Sequence, residues 1–253
     1  MPYVESGREF RAINAYFGGA SAAVDYLRRV GSDRSADAYA GRVPATVSRR
    51  VVVALVAATM MLPVAASAFP PAPPSAQQTQ VRLERLTVAA AGTLAGYSRE
   101  RFGGDWASTG TAGCDVRERV LIRDGRGVTP GPGCRITTGR WRSVYDGKIV
   151  TAGRGVDIDH VVPLAEAWRS GADAWTAQRR ERFANDLREP QLIAVSASSN
   201  RSKGDSPPQE WKPPRRAIWC LYSRWWTDVK ATYRLTVTVA EKRALRVMLR
   251  TCD

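Results

Sequence analysis

Apolar side chains recur every three or four residues through "RRAIWCLYSRWWTDVKATY", at Ile218, Leu221, Tyr222, Trp225, Trp226, Val229 and Tyr233. That spacing predicts a helix with one buried face, its aromatics serving as core. The next stretch, "TVAEKRALRVMLRTC", opens with Thr238 and Glu241 at capping-box spacing and predicts a second helix. Upstream the period changes. "VDIDHVV", residues 156–162, alternates apolar and acidic positions like a strand, with Asp157 and Asp159 on one face. "LIAV" predicts a second short strand, and "SASSNRSKG" a helical turn or short helix ended by Gly204. Residues 81–147 are less regular: a short helix within "VRLERLTVAAAGTL", a helix end or strand in "CDVRERVLIRD", and a turn-rich "GRGVTPGPGC". Together these elements predict an α+β domain.

The first 80 residues have another pattern. Residues 47–68 have the layout of a secretory signal peptide: Arg49 and Arg50, an apolar run from Val51 to Leu62, and small residues Ala66, Ser67 and Ala68. The run falls short of the roughly 20 apolar residues of a membrane span, so cleavage after Ala68 is expected. Residues 1–46 precede it, either as a start codon assigned too far upstream or as a cytosolic extension. "FPPAPPSAQQTQ", residues 69–80, reads as a Pro-rich linker that packs poorly. The folded domain is therefore expected over 81–253, with its chemistry at about 148–212.

Charge and cysteines narrow the function. The chain has 38 Lys and Arg against 24 Asp and Glu, a net charge of +14, and the part from Phe69 onward carries +11 of it. Such a surplus favours a polyanionic partner, either nucleic acid or an anionic envelope surface. All four cysteines, Cys114, Cys134, Cys220 and Cys252, lie in the exported part, where an even number reads as two disulfides. No C-x-x-C pair and no second histidine completes a zinc set. Of three connectivities, 114 to 134 with 220 to 252 is the simplest.

The only histidine, His160, follows two aspartates in "GVDIDHVVPL". A lone histidine in a strand is by default a packing residue. Asp157 and Asp159 side by side repel, however, and a divalent cation between them would relieve that. "DIDHVVP" and "NRSK" resemble the HNH, or His-Me finger, nuclease superfamily. The longer run "DIDHVVPLAEAWRSGA", "FANDL", "LIAVSASSNRSKGD" and "EW", with the later "WC" and "TC", is similar to secreted actinobacterial HNH proteins related to the nuclease domain of GmrSD-type restriction enzymes.

The resemblance implies a ββα-metal core with additional helices and a role for each matching residue. His160 would be the general base, and Asp159 and Asn200 would be ligands of one Mg²⁺ or Mn²⁺ ion. Asp157 would bond a metal water, fix the loop or ligate directly. Asn185 would brace the backbone around the histidine, with a helix cap as its plain alternative. Lys203 and Arg201 would hold a phosphate. Asn200 stands where the oldest pattern has a histidine, which favours hard cations over zinc.

These features imply a secreted endonuclease acting on nucleic acid, DNA ahead of RNA, as a monomer with no small-molecule cofactor. Two other functions share the charge: a non-catalytic nucleic-acid or envelope-binding protein on the same scaffold, and a toxin delivered to rival cells. The intact set of Asp159, His160 and Asn200 favours the enzyme, since a binding scaffold has no need of it.

Overall fold

Ser75 begins the first helix. Its hydroxyl accepts from the Gln78 N–H at 3.2 Å while the Gln78 side chain accepts from the Ser75 N–H at 3.0 Å, and this capping box sets α1 at Ala76–Arg85. The computed structural model describes residues 70–111 and 113–252. The expected signal peptide and the segment before it lie outside the described residues. Residues 70–80 differ from a poorly packing linker: Pro70 and Pro73 are buried, and the Arg224 guanidinium donates to the carbonyls of Pro73 and Pro74. The helix also ends earlier than its sequence pattern suggests. Thr87 and Val88, stiff β-branched residues, turn extended, and Val88 bridges Val237 in parallel.

After a 3-10 turn at Arg99–Phe102, β1 (Ser108–Thr111) and β2 (Cys114–Asp115) pair antiparallel. Asp115 then caps α2 (Val116–Asp124) by accepting from the Glu118 N–H. β3 (Thr138–Arg142) and β4 (Ile149–Ala152) form a second antiparallel pair. β5 (Val156–His160) leads into α3 (Leu164–Arg169) and α4 (Ala177–Ala184). The chain returns along β6 (Leu192–Ser196), antiparallel to β5 with Asp159 opposite Ile193 and His160 opposite Leu192. Ser196 caps α5 (Ala197–Lys203), which stops at Gly204 in a positive-φ conformation. β5, β6 and α5 therefore form a ββα unit in the order the sequence predicts, inside an α+β fold.

The carboxy-terminal pair, α6 (Trp219–Tyr233) and α7 (Val239–Leu249), packs on α1 and forms the larger core. Tyr222, Trp225, Trp226 and Val229 are all buried, as the three-and-four spacing requires. Full burial of each such side chain contributes roughly 1.5–3 kcal/mol. A smaller core joins Val120, Leu121 and Trp141 to the inner side of β5 and β6 through Ile158, Leu192 and Ala194.

Both cysteine pairs join as the simplest connectivity has it: Cys114 to Cys134 across 20 residues and Cys220 to Cys252 across 32. The second staples α6 to the end of α7. Replacing Cys220 and Cys252 together by serine is expected to lower unfolding stability by about 2–4 kcal/mol, the usual range for such a loop. Urea unfolding followed by tryptophan fluorescence measures it. A loss well under 1 kcal/mol would mean that packing alone holds the two helices together.

Candidate active site

β5 ends inside the protein, so its last two side chains are fixed by burial. The His160 ring is 7 % exposed and its Nε2 lies 2.9 Å from the Ala184 carbonyl. With the proton on Nε2 for that bond, Nδ1 keeps its lone pair. Burial pushes the imidazole down to about 3, the nearby Arg99 and Lys203 charges add to this, and the Ala184 bond opposes it. The ring is thus held neutral. Gln191 locks the chain just beyond it, its amide accepting from the Val162 N–H and donating to the Val162 carbonyl.

Asp159 meets a buried cation. The Lys203 ammonium lies 2.8 and 2.9 Å from its two carboxylate oxygens and 2.7 Å from the His160 carbonyl, and the Tyr145 hydroxyl donates to Oδ2 at 2.6 Å. Burial pushes the Asp159 carboxyl up and the Lys203 amine down, while their mutual attraction and hydrogen bonds act against both shifts. Lys203 has three N–H donors, and all three have acceptors within the protein. A phosphate contact from Lys203, implied by the family resemblance, has no donor left in this arrangement. The side chain is instead the internal counter-ion of Asp159.

Asn200, on α5, donates its amide to Asp157 Oδ2 at 3.2 Å, which leaves its carbonyl oxygen without a protein donor among the described residues. Asp157 also lies 3.9 Å from the exposed Arg201 guanidinium. It orients Asn200 and does not line the cavity. Asp159, His160, Asn200 and Arg201 do line one, of about 210 Å³, together with Tyr97, Arg99 and Asp205. A carboxylate offers about four lone-pair positions, three of them taken in Asp159. One Asp159 position and the Asn200 carbonyl therefore make a two-oxygen donor set that fits a hard cation completed by phosphate and water. Among the described residues no cluster of three or more His, Cys, Asp and Glu side chains offers a metal a fuller cage.

Three further residues reach this place with no motif to announce them. Arg99 lines the cavity and a neighbouring small one against His160, and among the described residues its guanidinium has no hydrogen-bond or ion-pair partner. Trp106 lies nearly parallel to the His160 ring, 8° between planes and 5.4 Å between centroids. Tyr145 holds Asp159 from below. Asn185 stands at the C-cap of α4, its Nδ2 donating to the Glu181 carbonyl, and its Oδ1 accepts from the Ala107 N–H, fastening the segment that carries Trp106.

The buried pair yields a stability test. Lys203→Met leaves a carboxylate buried without its cation and is expected to cost about 3–5 kcal/mol, whereas Lys203→Met combined with Asp159→Leu recovers much of that loss. Denaturant unfolding of the two variants without metal checks it. Equal losses would show that Lys203 acts through packing and not through charge.

The chain is similar to known proteins in two respects. Residues 129–248 match the family model for the C-terminal domain of GmrSD restriction endonucleases. An "Uncharacterized secreted protein" of Arthroderma benhamiae is 50% identical over 198 residues, which cover 78% of this chain and 96% of that protein. No solved structure matches. The matched region contains β5, β6 and α5 whole, and with them every residue of the Asp159, His160 and Asn200 set: residues 129–248 belong to the family of the GmrSD restriction endonuclease C-terminal domain.

Proposed function

We propose that this protein is a metal-dependent endonuclease that hydrolyses phosphodiester bonds of nucleic acid, DNA ahead of RNA, and that it works as a monomer outside the cytoplasm. One observation carries the reading. A neutral imidazole, anchored through Nε2 with Nδ1 unprotonated, lines the same cavity as the Asp159 and Asn200 oxygens and the unpaired Arg99 guanidinium.

A phosphodiester entering the cavity meets Arg99 and Arg201, which offset its charge and position it. His160 accepts a proton from the attacking water as the water oxygen bonds to phosphorus. The bond to the 3′ oxygen breaks, and that oxygen takes its proton from solvent. Trp106 and the Ala184 carbonyl keep the ring from turning away during this transfer. One Mg²⁺ or Mn²⁺ ion, held by Asp159 and Asn200, would stabilise the charge that grows on the phosphate and the leaving oxygen. Lys203 and Tyr145 hold Asp159 in place for that task, and Asp157 holds Asn200.

His160→Ala is expected to bind metal normally and to lose cutting by roughly 10²–10⁴, with partial rescue by imidazole and none by metal. Asp159→Ala and Asn200→Ala should show the reverse, with part of the activity returning at high Mn²⁺ or Mg²⁺. Plasmid cleavage titrated against metal and against imidazole separates the two patterns. Wild-type cutting by His160→Ala would sink the assignment.

Export rests on three supports: the signal-peptide layout of residues 47–68, two disulfides, which persist in oxidising compartments, and a relative described as secreted. The mature chain should begin near Phe69. Intact mass of material from the culture medium, with and without reductant, tests the start and the two bridges, and retention of residues 1–46 would overturn export by this route.

A further inference from the structure

A larger cavity, of about 470 Å³, lies where the ends of α1 and α6 meet, lined by Arg82, Arg85, Leu86, Thr87, Ala231, Arg234 and Leu235. It shares no lining residue with the cavity around His160. Three guanidiniums face one space here. Arg82 is held by an ion pair with Asp228, while Arg85 and Arg234 have no hydrogen-bond or ion-pair partner among the described residues. Arg234 also has φ of +56°, in the left-handed region that glycine or asparagine normally supplies after a helix. An arginine there accepts a backbone cost that either smaller residue would avoid, and it places its side chain at the cavity.

The charge balance indicates what fits. Each helix carboxy terminus carries about half a negative charge, and Asp228 adds one. Asp228 and the nearby Glu189 act on Arg82, which leaves Arg85 and Arg234 as the two guanidiniums free to meet a single phosphodiester. Leu86, Ala231 and Leu235 give the same cavity apolar walls, and its volume falls within the range of small-ligand sites. Such a space suits a phosphate with its sugar or base edge better than a bare anion.

We propose that the cavity formed by Arg82, Arg85 and Arg234 is a second phosphodiester-binding site, which holds nucleic acid at a place separate from the cutting centre. Its ligand class rests on the nuclease reading, but its test does not require cleavage. Arg234→Asn keeps a residue suited to the left-handed position and removes the charge; Arg85→Gln removes the other free guanidinium. Binding of a short DNA duplex to the protein would be measured in EDTA over a series of salt concentrations. The double variant is expected to bind about tenfold more weakly near 0.1 M salt, with the slope of log affinity against log salt reduced by about 1, for the one phosphate that the two guanidiniums share. The paired Arg85→Lys and Arg234→Lys variant should keep most of the slope, which a merely structural role would not predict.

An unchanged affinity and slope in the neutral double variant would overturn the proposal. So would inorganic phosphate displacing the duplex from this site as well as a nucleoside monophosphate does, since that would mark a site for free anions. Cleavage of plasmid by the unmodified protein is scored separately. If it fails while the salt slopes behave as expected, the nuclease reading falls and the second binding site stands.

Discussion

A single ammonium group organises the site. Lys203 sits at the end of α5 with no exposure of its side chain, and its three hydrogen bonds go to both oxygens of Asp159 and to the carbonyl of His160. It thereby joins the helix of the ββα unit to the end of β5, which carries Asp159 and His160. A lone charge in so apolar a setting would cost several kcal/mol, and so would the carboxylate opposite it. Each is tolerable only with the other in place, so α5 and the end of β5 are fixed relative to one another. With them are fixed Asn200, one turn earlier on α5, and the His160 ring.

A second buried ion cluster carries this order outwards. Lys230 on α6 lies 2.9 Å from Glu166 on α3 and 3.1 Å from Glu241 on α7, and Glu241 also accepts from the Trp226 indole. Glu166 is only six residues beyond His160, so the chain leaving β5 is tied at once to the helices of the main core. Glu241 serves two ends, since its carboxylate also completes the capping box on Thr238. Burial pushes its carboxyl up and the Lys230 charge pulls it back, so the cluster, like the Asp159 pair, holds only as a set. The disulfide between Cys220 and Cys252 closes the same helix pair covalently. The site is thus built on a strand whose exit is clamped, which suits a reaction that needs a base held in one orientation.

Periodicity made the outline legible. β5, β6, α5, α6 and α7 each carry a clear alternation, three-and-four spacing or cap, and each appears where those signals put it. β1, β2 and β4 lack enough residues for a period to show, β3 is as long as β5 but buries only Trp141, and α1 was obscured because its cap, Ser75, lies in a proline-rich segment that reads as linker. In the site, the position of Lys203 was legible from its spacing to Asn200, but its inward direction was not. That direction depends on Asp159 meeting it from β5, itself held by Tyr145, 14 residues earlier in sequence. Arg99 and Trp106 reach His160, and Gln191 reaches Val162 just beyond it, only by tertiary packing, and no local pattern distinguishes them from ordinary loop and strand residues.

The lone histidine now has a physical setting that packing alone does not require. A buried imidazole kept for packing needs one hydrogen bond and apolar neighbours, and the Ala184 carbonyl already satisfies it. The additional features go beyond that one bond. Nδ1 has no protein donor among the described residues, Asp159, Asn200 and an unpaired arginine line the cavity with it, and an indole stacks on the ring. Burial keeps the ring neutral at the cost of basicity, a poor exchange for a base working on bulk water and a workable one where a cation makes the water more acidic. In the proposed hydrolysis, the low basicity of His160 and the oxygen donors beside it belong to one arrangement, each useful only because the other is there.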